Sequence, residues 1–164
     1  MSDVSVTAEK NGTVYNVPIR IGMNFFDAKF DTGSSTTVIA ASVFYGGWSD
    51  EELKKLEIFC ESKGCAKREF TSASGHKIAG YPVVATDVLI GDTEFNEFHY
   101  YLITNGRKEM SLLGDDFIEN CGYRHLPHGN IEINTFDDEA YMSNREESLS
   151  NEDFLQFIDA VLSE

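Results

Sequence analysis

The chain has 164 residues and a formal net charge of −15, with 28 acidic and 13 basic side chains. Hydrophobic residues at 41% and aromatic residues at 12% predict a folded chain with a sizeable core, and the charge argues against nucleic acid and membranes as partners. The acidic start, with no apolar run behind it, and the three cysteines indicate a reducing, cytoplasmic location.

Strands are predicted for the first thirty residues. A short strand at 4–6 is followed by an Asn-Gly turn at 11–12, which favours a hairpin. Apolar residues then alternate with polar or Pro positions over 14–21, the period of a half-buried strand. A third strand follows, with one apolar face formed by Phe26, Ala28 and Phe30.

The segment Asp31-Thr32-Gly33-Ser34-Ser35 comes directly after this strand. Asp31 has the opposite parity from the apolar face, so its carboxylate need not point into the core. Gly33 permits a tight turn, and the three hydroxyls can hold a carboxylate ionised and oriented. A plain surface turn is the alternative interpretation. The apolar strands on both sides favour a catalytic carboxylate.

A helix of about three turns is predicted between the Asp31 turn and the next strands. Ser49 and Glu52 have the spacing of a capping box, and Gly64 is a suitable terminator. The pattern indicates a helix that packs over the edge of the sheet.

Strand patterns resume from residue 70. Ser74, Gly75 and His76 are expected near the tip of a hairpin at 72–80, where His76 is a candidate for substrate contact or a solvent-exposed loop residue. An aromatic-rich strand covers 95–103. After Leu112-Leu113-Gly114, Asp115 is expected to cap a short helix reaching about Asn120. A final strand is predicted at 131–133.

The composition changes at residue 137. The last 28 residues contain nine acidic side chains and one basic one. Ser150 and Asp153 form a capping signal for an amphipathic helix, whose apolar stripe must pack on its own domain, a second subunit or a partner. The apolar positions of this stripe are Phe154, Phe157, Ile158, Val161 and Leu162.

Two segments together resemble the retropepsin-like aspartic peptidases, the single-lobe family that includes retroviral proteases. Asp31-Thr32-Gly33-Ser34-Ser35 looks like the family's catalytic turn, and 112–118 looks like its second marker, about 80 residues further on. Between them, 72–80 looks like the family's flap hairpin. The resemblance implies an all-β fold, a small closed barrel with an inserted helix and a C-terminal helix added. The peptidase domain would span 1–136, followed by an acidic linker and the helix at 137–164.

The family's mechanism implies a homodimer, because this chain has one such turn. Two Asp31 carboxylates, one from each subunit, would share a proton and activate a water that attacks a peptide bond. Thr32 would lock the two turns together and Gly33 would shape the turn. The implied supporting or substrate-binding residues are Ser34, which would hydrogen-bond the carboxylate, with Ser35, Ser74, Gly75, His76, Leu113 and Gly114. No cofactor or metal is implied, and the partner is a peptide or protein substrate.

The chain also departs from the family. Retroviral members pair an acidic residue after the catalytic turn with an Arg after the second-marker Gly. Ser35 and Asp115 occupy those places here. The N-terminal strand is a candidate for the dimer interface.

Other interpretations are open from the sequence. Cys60 and Cys65 with His125 and His128 suggest zinc only weakly, because the spacing is unlike most structural sites. A serine nucleophile lacks a recognisable histidine base. A non-catalytic dimerisation or peptide-binding module on the same fold is the alternative function, with the cleft closed by the 42–70 insertion or the C-terminal helix.

Overall fold

The computed structural model describes residues 2–11, 14–46, 48–71, 75, 77–104, 110–142 and 149–162. The described part of the chain is mostly β, as the sequence predicted. Its strands are β1 (Ser2–Asn11), β2 (Val14–Ile21), β3 (Asn24–Phe30), β4 (Val38–Ala40), β5 (Arg68–Thr71), β6 (Lys77–Ala85), β7 (Val88–Ile90), β8 (Thr93–Phe95), β9 (Phe98–Ile103), β10 (Leu112–Leu113), β11 (Cys121–His125), β12 (Ile131–Phe136) and β13 (Leu149–Ser150).

Helices take a smaller share of the described chain. Short 3₁₀ turns at Ala41–Val43 and Pro127–Gly129 add to them. The α-helices are α1 (Asp50–Ser62), α2 (Asp115–Ile118), α3 (Asp138–Met142) and α4 (Asn151–Leu162). None of the helices in the described residues is long and apolar enough to cross a membrane.

The alternating apolar pattern produces the strands before the Asp31 turn. β3 buries Phe26, Ala28 and Phe30 and exposes the residues between them, as predicted. β2 pairs with β3 in antiparallel register, with Val17 opposite Ala28. The strand pair therefore presents one buried face to the main core.

The strands join in the order β11-β12-β1-β2-β3-β10-β4-β9-β6-β13, with β5 on β6, and with β7 on β2 and β8. This path has two ends, β11 and β13, so the described sheet is open. The predicted closed barrel is not what the described strands form. β12 is longer than the strand predicted at 131–133. It pairs with β11, a strand that the sequence analysis did not predict.

β1 is longer than the predicted 4–6 strand and belongs to two parts of the sheet. Residues 2–8 pair with β12, and residues 9–11 pair with β2. An irregularity between Asp3 and Val6 accompanies the pairing with β12. The N-terminal strand is therefore paired within its own chain along these residues.

α1 begins and ends as the sequence predicted. Ser49 Oγ accepts the N–H of Glu52 at 3.2 Å, and Glu52 Oε1 accepts the N–H of Ser49 at 2.9 Å, which completes the capping box. At the other end Gly64 has a φ of 81°, and the N–H of Cys65 reaches the carbonyl of Cys60 at 3.1 Å. This is the Schellman arrangement that stops the helix.

The C-terminal segment packs on its own chain. β13 pairs in parallel with β6, and α4 begins at the predicted cap, where Ser150 Oγ accepts the N–H of Asp153 at 3.2 Å. Phe154 is fully buried against the main core, and the Phe157 ring stacks on Phe59 of α1 at 4.9 Å. Tyr100 also donates its hydroxyl to Asn151 Oδ1 at 2.6 Å. The sequence left three surfaces possible for the apolar stripe. The described part of the stripe packs on its own chain.

Candidate active site

The turn after β3 is built around an inserted strand. β10 lies between β3 and β4, parallel to β3 and antiparallel to β4. The chain at 31–37 therefore has to cross the end of β10 to pass from β3 to β4. Strand pairing on both sides fixes the two ends of this turn, so a reactive group at either end keeps its position.

Asp31 begins the turn and is held through its backbone. Its N–H donates to the carbonyl of Leu113 on β10 at 3.0 Å, and its carbonyl accepts the N–H of Ser34 at 3.2 Å. The carboxylate Oδ1 accepts the N–H of Gly33 at 2.9 Å, the contact of an Asx-turn. The residue is half-buried and keeps contact with solvent. The arrangement presents a fixed carboxylate at the protein surface.

Gly114 allows the 112–116 segment to cross the turn closely. A Cβ at this position would lie 2.5 Å from both the carbonyl carbon and oxygen of Thr36, so glycine is required by the close approach. Two further bonds join the segments, because the N–H of Asp115 donates to the carbonyl of Ser34 at 2.7 Å and the N–H of Asp116 donates to that of Ser35 at 3.3 Å.

Thr37 and Asp116 form the polar centre of this crossing. Thr37 is fully buried. Its hydroxyl donates to Asp116 Oδ1 at 2.6 Å, and its N–H lies 3.0 Å from both carboxylate oxygens. The same hydroxyl accepts the N–H of Gly114 at 3.1 Å. Hydrogen bonds to an ionised group are stronger than those between neutral groups. This network therefore stabilises the end of the turn, where Thr37 leads into β4.

Some sequence predictions for these residues differ from the structure. Asp115 was expected to cap α2, but the N-cap residue is Gly114, so no side chain caps this helix. The helix ends at Ile118 rather than near Asn120. The Ser34 hydroxyl donates to the carbonyl of Thr36 at 3.0 Å and not to the Asp31 carboxylate. Ser34 was expected to hold the carboxylate because the two residues are close in sequence. Its side chain instead bonds the backbone of its own turn.

The remaining turn residues lie on the surface. Thr32, Gly33 and Ser35 are exposed, and the hydroxyls of Ser35 and Thr36 are 3.3 Å apart. A Cβ on Gly33 would lie 3.3 Å from Asp31 Oδ1, so this glycine leaves room for the carboxylate. Leu113 is fully buried and contributes its carbonyl to the Asp31 N–H.

The predicted hairpin after α1 forms from β5 and β6, with Thr71 opposite Lys77. Between these strands Gly75 has a φ of 84°, a conformation that favours glycine. The predicted tip residues Ser74 and His76 lie outside the described residues. Behind the hairpin is a second apolar cluster, separate from the main core, which we call the second cluster: Val38, Ala40, Tyr101 and Ile103, with Phe70, Ile78, Met110 and Leu112 packed against them.

β11 carries an aromatic residue beside the turn that the sequence analysis did not identify. The Tyr123 ring meets the Phe30 ring edge-on at 5.2 Å, and Phe30 is the residue before Asp31. Tyr123 is 41% exposed. β11 pairs with β12 on one side, and no described strand pairs with its other side. The only sequence signal for this contact was the alternation at 121–125, which is too short to be recognised alone.

No protein-family model and no curated protein matches this sequence. Among solved structures, the crystal structure of a retropepsin-like aspartic protease from Rickettsia conorii is similar, with a TM-score of 0.49 and 18% identity. The match covers 81% of this chain and 90% of that chain. Similarity at this level says nothing about chemistry, so the inference about function depends on the contacts within this chain.

Proposed function

We propose that this protein is an aspartic endopeptidase of the retropepsin-like type that acts as a homodimer. The observation that carries the proposal is the Asp31 carboxylate. It is half-buried at the start of a turn whose backbone is fixed by β10, by the Gly114 crossing and by the Thr37–Asp116 network. A solvent-accessible carboxylate on so constrained a turn is well suited to acid–base chemistry, because the geometry needs no reorganisation during reaction.

The proposed reaction requires two such turns. The sequence contains one Asp-Thr-Gly, so two subunits would each contribute Asp31 on a two-fold axis. Two close carboxylates cannot both ionise, and the pair shares one proton. The ionised carboxylate takes a proton from the bound water as it attacks the peptide carbonyl, while the protonated one donates to the carbonyl oxygen.

The other turn residues would support this pair. Thr32 is exposed beside Asp31 and would contact the turn of the second subunit across the axis. Gly33 would hold the carboxylate through its N–H and lend its backbone to the substrate. In the same proposal the β5–β6 hairpin acts as the flap, with Ser74, Gly75 and His76 near the substrate and Ser35 at the rim.

The free edge of β11 is the proposed contact between subunits. Tyr123 lies against Phe30 beside the catalytic turn, so a partner seated on β11 would approach Asp31. A strand edge with unpaired backbone groups is a template for pairing with a second chain. β1, expected at the interface, already pairs with β12 and β2. A location in the cytoplasm stays part of the proposal and rests on the three free thiols.

The positions of the added helices favour catalysis over a closed binding module. Leu56 of α1 and Phe154 and Ile158 of α4 belong to the main core. The second cluster, next to the Asp31 turn, contains no residue of either helix among its members. Within the described residues, neither the inserted helix nor the C-terminal helix contributes a residue to this cluster, and Phe70 at the end of the 42–70 insertion packs against it.

The test is cleavage of a mixed peptide library by the purified protein, with Asp31→Asn as the matched variant. Replacing the carboxylate by an amide keeps the shape and removes the group that accepts the proton. We expect cleavage that a statine-type inhibitor blocks, and a loss of at least about 10²-fold in Asp31→Asn. Equal cleavage by the variant would show that Asp31 is not catalytic.

A further inference from the structure

A groove runs along the outer face of β2 and β3, on the side of these strands that faces away from the main core. Its volume is about 930 Å³. Three successive pairs of outward-facing residues line it, and in register they are Asn16 with Lys29, Pro18 with Asp27, and Arg20 with Phe25. The groove therefore extends over roughly 13 Å of the strands, since alternate residues of a strand are about 6.6 Å apart.

One end of the groove lies next to the Asp31 turn. The N–H of Lys29 donates to the carbonyl of Ser111 at 3.1 Å. The N–H of Asp31 donates to the carbonyl of Leu113 at 3.0 Å. These two bonds continue the parallel pairing with β10 as far as Asp31, so Lys29 and Asp31 lie on the same face of the sheet. The groove thus ends two residues before the proposed catalytic carboxylate.

Phe25 provides an apolar anchor at the other end of the groove. Its side chain is 76% exposed. Leu89 of β7 lies in the same row, because Arg20 pairs with Phe25 on one side and with Leu89 on the other. Pro18 is exposed in the next row. An exposed aromatic ring with apolar neighbours in a groove is typical of a binding surface.

Lys29 provides a cation that forms no ion pair with any described residue. It is exposed, and neither Asp27 nor Asp31, its neighbours on the same face, pairs with it. Arg20 is instead held by its own chain, through a backbone carbonyl at 2.6 Å and Asp87 Oδ1 at 3.4 Å. The described lining contains two acidic and two basic side chains, whereas the whole chain has 28 and 13. An acidic side chain therefore meets less repulsion in the groove than the net charge of the chain would impose.

We propose that this groove is an accessory binding surface for the substrate. It takes an extended segment that places an acidic side chain on Lys29 and an apolar or aromatic side chain on Phe25. The proposal rests on the proposed peptidase function and adds a substrate class to it. Because Lys29 and Phe25 are four residues apart on one strand, the two substrate side chains would also be four residues apart in an extended peptide. The substrate is favoured as the occupant because the groove is continuous with the Asp31 turn.

Peptide binding tests the surface without depending on catalysis. Asp31→Asn protein is titrated, by fluorescence anisotropy, with labelled and amidated peptides in which Phe and Glu are four residues apart in either order. In the comparison peptides Glu is replaced by Gln, Phe is replaced by Ser, or Glu is moved two residues closer to Phe, where it would face Asp27. We expect the change of Glu to Gln to weaken binding about two- to fivefold and the change of Phe to Ser about tenfold. The moved Glu should bind no better than Gln.

Variants then assign these effects to the groove. Lys29→Gln should abolish the preference for Glu over Gln, and Phe25→Ser should weaken binding of the matched peptide about tenfold. Lys54→Gln and Ile58→Ser are the matched controls, because they change an exposed lysine and an exposed apolar residue of α1. With the Asp31 carboxylate restored, Phe25→Ser should raise the KM of a peptide that carries the matched extension more than it lowers kcat.

The outcomes separate the surface from the proposed function. Equal binding of the matched and altered peptides, equal effects of Phe25→Ser and Ile58→Ser, or no binding of any peptide would overturn the proposal. If Phe25→Ser dissociates a dimer that Ile58→Ser retains in sedimentation, the groove is an interface between copies of the chain, and the proposal is again wrong. Failure of the wild-type protein to cleave any peptide would count against the proposed function, while matched-peptide binding that depends on Phe25 and Lys29 would still stand.

Discussion

Asp116 binds both the N–H and the hydroxyl of Thr37, although 79 positions separate the two residues. The bond joins the end of the Asp31 turn to the start of α2, and Gly114 adds its N–H to the same hydroxyl. The Asp31 turn and the 112–118 segment are therefore joined by one polar network.

Asp116→Ala should destabilise the protein strongly. Thr37 is fully buried, so the substitution leaves its N–H and hydroxyl without their acceptor, at a cost of about 2–4 kcal/mol in the free energy of unfolding. Thr37→Val, which removes the hydroxyl but keeps the N–H, should cost less. Urea unfolding of the purified variants measures both. Asp115→Ala is the control. An equal loss of unfolding free energy in all three variants would show that the Thr37–Asp116 hydrogen bonds do not stabilise the fold.

Gly114→Ala should disrupt the crossing of the two segments. Its Cβ would meet backbone atoms of Thr36 at 2.5 Å, and backbone cannot rotate away as a side chain can. We expect a loss of about 3 kcal/mol or more, with loss of activity. Gly46→Ala has no atom within 4 Å of its Cβ and serves as the control. Equal unfolding midpoints for Gly114→Ala and Gly46→Ala would contradict this close approach.

Tyr123→Asp should weaken the proposed dimer. The substitution places a charge against Phe30 on the proposed contact strand, and aromatic residues often dominate the binding energy of an interface. Sedimentation equilibrium should give a dissociation constant at least about tenfold higher than that of the wild type. Ile58→Asp changes an exposed apolar residue of α1 and is the control. If both variants dimerise as the wild type does, β11 is not the interface.

Alkaline pH should destabilise the fold through Cys60. Burial, followed by the nearby Cys65, Glu57 and Glu61, raises the pKa of this thiol from 9.0 to about 12. The folded state therefore keeps the proton that the unfolded state loses, so the stabilising contribution is full below pH 9 and is lost as pH rises to about 12. Cys60 alone should lower the free energy of unfolding by about 1.4 kcal/mol per pH unit in that window.

Chemical unfolding at several pH values compares wild type with Cys60→Ala. The variant should lose stability less steeply above pH 9 and run parallel to the wild type below it, whatever the cost of the cavity. Leu56→Ala truncates a buried neighbour that does not titrate, and its pH slope should match the wild type. Identical slopes for Cys60→Ala and wild type would mean that the thiol titrates alike in both states.

The elements that depend on local sequence were predicted well. The Ser49 and Ser150 caps, the Gly64 stop and the alternation in β3 each arise from residues within a few positions of one another. The Asp31 turn was found for the same reason. Such signals need no knowledge of which segments meet in space, so the sequence alone can reveal them.

The contacts that long-range pairing creates were missed. Asp116 was overlooked in favour of Asp115, because nothing near residue 116 indicates that a buried threonine at 37 needs an acceptor. Likewise, the Ser34 hydroxyl donates to the carbonyl of Thr36, within a turn whose two ends are set by the insertion of β10 between β3 and β4. An open sheet path and an intrachain role for β1 also depend on distant pairings.

The proposed shared site is tested most directly by mixing active and inactive chains. Wild-type protein is co-refolded with a fourfold excess of Asp31→Asn, and peptide cleavage is measured per wild-type chain. If each active site takes one Asp31 from each subunit, random pairing leaves about one fifth of the activity. Dilution of wild type alone below its dimer dissociation constant should also lower the specific activity. Unchanged activity per wild-type chain after co-refolding, with strict proportionality on dilution, would show that one chain is sufficient and would contradict the proposed dimeric site.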